Sequence, residues 1–177
     1  RQSRWPFRVY NLYGNSECTA LSTCFDMTEP TRLARVPVGR PIQNTAVYIL
    51  DPEGRPSPFF VPGELHVGGD LVAHVYLNNP RLSAEKFLPD PFRPGARIFR
   101  TGDFARWFPD GNVDFLGRLD DQVKIRGHRI ECGEVEHAIR ECPGVAEVVV
   151  TGRKMERQST EMVAYIVPAR EATVDPA

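Results

Sequence analysis

The sequence predicts a mixed α/β chain in two parts, a strand-rich portion followed by a smaller α+β unit. Short runs rich in β-branched and aromatic residues recur between residues 36 and 116, broken by Pro and Gly. That texture suggests a barrel or sandwich. After Gly117 the texture changes: a basic strand pair is followed by apolar residues at helical spacing, then by two further apolar runs.

Taken in order, Phe7–Tyr13 reads as a short strand running into a turn at Gly14-Asn15. Ala46–Leu50 is a strand closed by the turn residues Asp51-Pro52-Glu53-Gly54. Gly63–Gly69 is a second strand bounded by glycines, and Ser83–Phe87 a short helical turn with Ser83 as its candidate N-cap. Arg97–Arg100 and Asn112–Leu116 are strands, and Pro109-Asp110-Gly111 between them has hairpin-turn chemistry. Gln122–Ile130 forms a basic strand pair bending at Gly127. Glu134–Glu141 is the main predicted helix. Val135, Ala138, Ile139 and Cys142 share one face, Glu136 and Arg140 are spaced for an i,i+4 pair, Glu134 and Glu136 suit the positive helix start, and Pro143-Gly144 ends it. Val145–Val150 and Met162–Val167 are two strands joined by a polar connection, and residues 168–177 read as loop.

Composition narrows the function classes. Of 177 residues, 41% are hydrophobic and 25% charged, ordinary for a soluble globular chain. A net charge of −1 gives no global field towards nucleic acid or a membrane surface. There is no apolar run long enough to span a bilayer and no secretory leader, so a cytoplasmic protein is expected, and the missing initiator Met fits a fragment. Cys18, Cys24, Cys132 and Cys142 lack metal-site spacing and read as buried free thiols in a reducing cytosol. The histidines His66, His74, His128 and His137 read as ordinary strand, loop or helix-surface residues. Neither a Walker-type phosphate loop nor a dinucleotide-binding glycine fingerprint is present.

Three polar constellations remain: Asn11, Tyr13, Ser16 and Glu17 in a turn after a strand; Thr101-Gly102-Asp103; and Gly117-Arg118-Leu119-Asp120 followed by Lys124, Arg126 and Arg129. A strand-end turn offering an amide, an aromatic ring, a hydroxyl and a carboxylate matches the needs of a nucleotide. The amide reads a purine edge, the ring stacks, the hydroxyl donates to phosphate, and the carboxylate suits Mg²⁺, which prefers oxygen ligands. An aspartate can accept two hydrogen bonds from a ribose diol, and an arginine complements it as donor. Each feature alone is weak, and structural turns and surface charge are the commoner reading of such residues.

Order and spacing add a resemblance. Asn11-Leu12-Tyr13-Gly14-Asn15-Ser16-Glu17 resembles the Asn-x-Tyr-Gly-Pro-Thr-Glu motif of the adenylate-forming superfamily. Gly63–Gly69 through Tyr76-Leu77-Asn78-Asn79-Pro80 to Phe87 resembles its next motif, Phe99-Arg100-Thr101-Gly102-Asp103 its Tyr-Arg-Thr-Gly-Asp motif, and Phe115–Glu131 its longest one. Covering about Val9 to Val167, the chain is most similar to the C-terminal portion of nonribosomal peptide synthetase adenylation domains. The resemblance implies that residues 1–119 end a large subdomain containing a distorted β-barrel, and that 120–177 begin a small α+β lid subdomain. It implies that Asn11 faces the adenine amine, Tyr13 stacks on the ring with Phe115 near the other face, Ser16 touches the α-phosphate and Glu17 binds Mg²⁺. Asp103 would hold the ribose hydroxyls, backed by Arg118. Asp120 would be the hinge, and Lys124–Glu131 the loop that meets a carrier's phosphopantetheine arm. Leu12, Ala20 and Leu21 would line an apolar part of the amino-acid pocket.

The implied activity is formation of an aminoacyl-AMP from amino acid and ATP, then loading onto the phosphopantetheine thiol of a peptidyl carrier domain, with a small MbtH-like helper protein as a partner of the kind some members require. Asn15 and Ser16 depart from Pro and Thr, His74-Val75 from Arg-Gly, and Cys132 from Leu. The family's glycine-rich phosphate loop is expected upstream of Arg1 and its catalytic Lys downstream of Ala177, so the fragment alone is expected to be inactive. A CoA ligase of the same superfamily and a non-catalytic docking module are the alternatives; Asp120–Gly127 (Asp-Asp-Gln-Val-Lys-Ile-Arg-Gly) argues for the peptide synthetase branch.

Overall fold

A computed structural model of the chain describes residues 7–28, 35–119, 122–125, 128–154 and 160–169, with backbone alone at Lys124, Arg129 and Lys154. The chain divides into two compact units, Arg1–Leu119 and Asp120–Ala177. The architecture is mixed α/β, strand-rich with few helices.

In the first unit, β1 (Tyr10–Tyr13), β2 (Thr23–Asp26) and β3 (Arg40–Pro41) form an antiparallel sheet in that order. β4 (Thr45–Leu50), β5 (Gly63–Gly69), β6 (Phe87–Pro89), β7 (Arg97–Trp107) and β8 (Val113–Arg118) form a second, curled antiparallel sheet of order β4-β5-β7-β6, with β8 also on β7. β7 is the spine. One edge pairs with β5, while the other pairs first with β6 at 97–99 and then with β8 at 103–107. Its register shifts against β5 between Leu65 and His66, and against β8 between Phe104 and Ala105. Such bulges bend a strand and re-aim the side chains beside them. A backbone exchange between Val38-Gly39 and Val113 joins the two sheets, with Val38 N–H donating to Val113 O at 2.9 Å and Val113 N–H to Gly39 O at 2.9 Å.

Turn chemistry closes the hairpins. Asp51 Oδ1 accepts the N–H groups of Glu53 (3.0 Å) and Arg55 (2.8 Å), and Gly54 takes φ +78°. Asp110 Oδ1 accepts Asn112 N–H at 3.0 Å, with Gly111 at φ +80°. The core beneath the sheets is built from Val47, Ile49, Leu65, Val67, Phe87, Phe99 and Val113, joined by Cys18. Full burial of each large apolar side chain contributes about 1.5–3 kcal/mol.

β1 starts at Tyr10, three residues later than its apolar text suggests. The helix α1 (Pro80–Lys86) also differs from expectation. Its N-cap is Asn79, whose Oδ1 accepts Leu82 N–H at 3.1 Å, with Pro80 at the first helical position. Ser83 lies inside the helix and is buried. Its hydroxyl donates to Asn79 O at 2.7 Å and accepts Tyr76 N–H at 2.8 Å.

In the second unit, β9 (Val123–Ile125) and β10 (His128–Ile130) pair antiparallel, α2 spans Cys132–Arg140, and β11 (Val145–Lys154) pairs with β12 (Thr160–Pro168). The bend at Gly127 lies outside the described residues. Cys132, Val148 and Val150 form a small core with Val123, Val135, Ile139 and Val145. α2 starts two residues before the expected Glu134. Glu136, expected to pair with Arg140, directs Oε1 to the Val150 N–H at 2.8 Å, tying the helix to β11. None of the four cysteines is in a disulfide, but only Cys18 and Cys132 are buried; Cys24 is half-buried and Cys142 exposed, a correction to the reading of four buried thiols. Among the described residues no helix is long and apolar enough to cross a membrane.

Candidate functional site

β1 delivers the first constellation. Alternation along the strand puts Asn11 and Tyr13 on one face, half-buried, and Leu12 on the other, 56% exposed. The Asn11 amide donates to Pro37 O at 2.7 Å. After Tyr13 the chain passes Gly14, where a Cβ would lie 2.5 Å from Ala20 O, so only glycine fits the return of the loop. Ser16–Cys18 forms a one-turn 3-10 helix, leaving Ser16 exposed while Glu17 and Cys18 are buried. Thr19 and Ala20 follow in the left-handed region, φ +56° and +66°, and the loop closes with Ser22 N–H donating to Tyr13 O at 2.8 Å. Ala20 is exposed and Leu21 half-buried.

β7 and β8 deliver the second and third. The β7 bulge at Gly102, φ +75°, places Asp103 inward with only 3% of its surface exposed. Its Oδ1 accepts from Arg118 Nη1 at 2.7 Å, and Arg118 Nη2 donates to Thr101 O at 3.2 Å. The Tyr13 hydroxyl donates to Oδ2 of the same carboxylate, across ninety positions of sequence. Burial, then the negative charge of Asp103, drives the Tyr13 pKa upward, so the phenol stays a neutral donor. Asp103 N–H is capped by Thr101 Oγ1 at 2.9 Å. Phe115 lies 6.1 Å from the Tyr13 ring centroid at 36°.

The structure therefore brings Tyr13, Asp103, Arg118 and Phe115 together and places Ser16 and Glu17 one turn beyond Tyr13. Lys124 lies on β9 in the second unit with its side chain undescribed, and Asp120 lies outside the described residues. Of the motif departures, Asn15 leaves Oδ1 buried with no hydrogen-bond partner among the described residues, exposed His74 accepts Arg97 Nη1 at its carbonyl at 2.5 Å, and Cys132 serves as a buried apolar residue.

Sequence reasoning missed Tyr76. Its hydroxyl donates to Glu17 Oε1 at 2.7 Å. The text signal was a lone tyrosine just before Asn78-Asn79-Pro80, inside a motif already singled out. Glu17 and that hydroxyl suit Mg²⁺, which is usually bound by one or two carboxylates plus substrate phosphates rather than by an all-protein cage. Among the described residues no group of three or more His, Cys, Asp or Glu is assembled.

Comparison with known proteins identifies the family of the chain. Residues 2–77 match the AMP-binding enzyme family and residues 134–176 the AMP-binding enzyme C-terminal domain. Tyrocidine synthase 3 of Brevibacillus parabrevis is 48% identical over 169 residues, a match covering 96% of this chain but 3% of the synthase. Among solved structures, IdnL1 superposes with a TM-score of 0.82 at 30% identity, covering 95% of this chain and 34% of that one. PA1221, an NRPS protein containing adenylation and PCP domains, superposes with a TM-score of 0.78 at 28% identity, covering 94% of this chain and 34% of that one. The chain spans about a third of these solved chains and a few per cent of its synthase relative. From the two family matches, the fold and the relatives together, the chain belongs to the AMP-binding enzymes and corresponds to part of a nonribosomal peptide synthetase adenylation domain.

Proposed function

We propose that this chain holds the nucleotide in a domain that forms an aminoacyl-AMP from an amino acid and ATP, then passes the aminoacyl group to the phosphopantetheine thiol of a carrier domain. The observation that carries it is the buried Asp103 carboxylate, gripped on one oxygen by Arg118 and on the other by Tyr13, whose strand runs straight into the Ser16-Glu17 turn.

In the first half-reaction an amino-acid carboxylate oxygen attacks the α-phosphorus of ATP, and the bond to pyrophosphate breaks. In the second, the carrier thiol attacks the aminoacyl carbonyl and AMP leaves. Such transfers are driven by positioning and charge neutralisation. Asp103 accepts from the two ribose hydroxyls, with Tyr13 and Arg118 fixing its plane. Asn11, its amide orientation fixed by donation to Pro37 O, accepts from the adenine amine through Oδ1. The base stacks on the Tyr13 ring. Exposed Ser16 donates to an α-phosphate oxygen, and Glu17 supplies the carboxylate for Mg²⁺. The metal, when bound, offsets the negative charge of the phosphates. Leu12, Ala20 and Leu21 give one wall of the amino-acid pocket an apolar character. Asp120 acts as the hinge and Lys124 serves the thioester-forming state. The complete protein works in the cytoplasm with a peptidyl carrier domain and a small MbtH-like helper protein.

The test is amino-acid-dependent ATP–pyrophosphate exchange by the complete parent domain. Exchange with one amino acid is expected and identifies the substrate. Turnover confined to aryl or fatty acids moves the protein to the CoA-ligase branch, and silence of folded protein with all acids marks a docking module.

A further inference from the structure

The loop that returns from β1 to β2 concentrates backbone strain at two adjacent residues. Thr19 has φ +56° and ψ +40°, a conformation that a β-branched residue rarely adopts, and Ala20 follows at φ +66°. Leu21 N–H donates back to Thr19 O at 2.9 Å, closing a three-residue turn around Ala20. A positive central φ makes this the rare, strained form of that turn. Such backbone persists where its surroundings over-determine it, and it clusters at ligand sites. Ala20 N–H donates to Asn15 O at 3.0 Å and Ser22 N–H to Tyr13 O at 2.8 Å, while Gly14, with no Cβ, leaves room for the Ala20 carbonyl.

These bonds lie within the loop and its own strand. Thr19 adds one to a different part of the fold: its Oγ1 donates to Leu71 O at 3.0 Å, fifty-two positions away. Leu71 sits on a firm mount just beyond β5. Asp70 N–H donates to Asn44 O at 3.1 Å, Val72 N–H donates to Gly69 O at 3.3 Å, and the Val72 side chain packs against the apolar core. Gly69 makes the corner at φ +104°, where a Cβ would lie 2.2 Å from Asn44 O. The Thr19 hydroxyl thus references the strained turn to the end of a core strand.

We infer that Thr19 is a positioning residue for the amino-acid pocket: its hydroxyl, bonded to Leu71 O, sets the placement of the Ala20–Leu21 wall and with it the length of apolar side chain the pocket takes. Thr19 acts through its neighbours, without touching the substrate. Residues held in strained wells have lower-energy conformations close by, so a wall released from its tether relaxes and fits several side-chain lengths less well than it fitted one. A fixed apolar wall separates substrates that differ by one methylene by about 10–200-fold, and that ratio is where a loosened wall is read.

This inference rests on the reading of Ala20 and Leu21 as pocket wall, and the experiment separates the two. Amino-acid-dependent pyrophosphate exchange is measured on the complete parent domain, with the amino acid it activates best and with a homologue differing by one methylene. Thr19→Ala removes the hydroxyl. The KM for the preferred amino acid should rise about fivefold, the equivalent of one neutral hydrogen bond. Preference over the homologue should fall by a similar factor, and the KM for ATP should stay at the parent value. Thr19→Ser keeps the hydroxyl and should restore both. A merely structural role would lower kcat for every amino acid alike and leave KM and the preference ratio in place. Leu21→Ala reports on the wall itself and should shift preference towards longer side chains.

Parent-like KM and preference in Thr19→Ala, or a loss that Thr19→Ser does not restore, overturns the positioning role; altered preference in Leu21→Ala then leaves the wall assignment standing. If Leu21→Ala also keeps the parent's preference, both fall. A folded parent that exchanges with no amino acid removes the pocket and the proposal together. Should Thr19→Ala fail to fold, Thr19→Gly is read in its place, because glycine adopts a positive φ without strain and also lacks the hydroxyl. The same losses are expected of it, and parent-like preference would overturn the proposal.

Discussion

Replacing Arg118 by Gln tests how much the buried carboxylate depends on its cation. The pair is close, 2.7 Å between Arg118 Nη1 and Asp103 Oδ1, with side-chain exposures of 18% and 4%. An exposed pair contributes about 0–1 kcal/mol, whereas removing one partner of a fully buried pair costs about 3–5 kcal/mol, because the remaining charge is stranded. Here the arginine keeps some solvent contact and Tyr13 still donates to the other carboxylate oxygen, so the expected loss falls between these limits, at about 2–3 kcal/mol. The assay is urea unfolding of the complete domain, followed by tryptophan fluorescence; Trp107 lies on the same strand as Asp103. With a slope of about 3 kcal/mol per molar urea, the midpoint should fall by roughly 1 M with the slope unchanged. The loss should persist in high salt, since a pair this enclosed is weakly screened. The decisive arm is Asp103→Asn combined with Arg118→Gln. If the cost comes from an uncompensated buried charge, the double variant is more stable than Arg118→Gln alone. A double variant that is equally or less stable refutes that reasoning and makes Arg118 a matter of packing.

Asn79→Ala removes the acceptor for Leu82 N–H and should cost about 1 kcal/mol in thermal or denaturant unfolding. Gly152→Ala would place a Cβ 2.2 Å from Val123 Cγ1, so it should destabilise the second unit by about 1–3 kcal/mol, visible as faster proteolysis within residues 120–177. The alkaline limb of stability has a defined origin. Burial, then the Glu17 charge, pushes the Cys18 thiol from 9.0 to about 12, and Tyr13 is likewise raised from 10.0. Both folded-state pKa values exceed the unfolded ones, so their contribution is fully present below about pH 9 and is lost as pH rises beyond it. Cys18→Ala should flatten the decline between about pH 9 and 12 in unfolding measured across that range.

Local chemistry made much of this fold readable. The Asp51–Gly54 and Pro109–Gly111 turns announce themselves because aspartate side chains bond their own backbone and glycine takes positive φ there. The error at α1 is equally local. Ser83 was the nearer capping residue to the apolar text, but Asn79 followed by Pro80 carries two start signals and prevails. β11 and β12 run past the apolar cores read from the text, because Thr151–Lys154 and Thr160–Glu161 are polar residues whose pairing is decided by the neighbouring strand. At the site, the text offered Tyr13, Asp103 and Arg118 as separate fragments. That one phenol and one guanidinium share one carboxylate depends on three strands converging, with Tyr13 ninety positions and Arg118 fifteen positions from Asp103. Glu17 could be picked out from its turn, but its tie to Tyr76 across fifty-nine positions could not.

The bulged geometry of β7 has a consequence for fidelity of assembly. Pairing is offset on both sides near Asp103, against β5 at Leu65/His66 and against β8 at Phe104/Ala105. A regular strand can slide along its neighbours two residues at a time with its faces preserved. A strand with an irregularity keyed to each neighbour cannot, because any slid alignment sets the extra residues of one strand against regular backbone of the other and leaves buried amides unpaired. β7 is thus addressed to a single alignment by the same kinks that turn Asp103 inward. Errors in strand pairing are discouraged where they would do the most harm, at the one strand on which β5, β6 and β8 all depend.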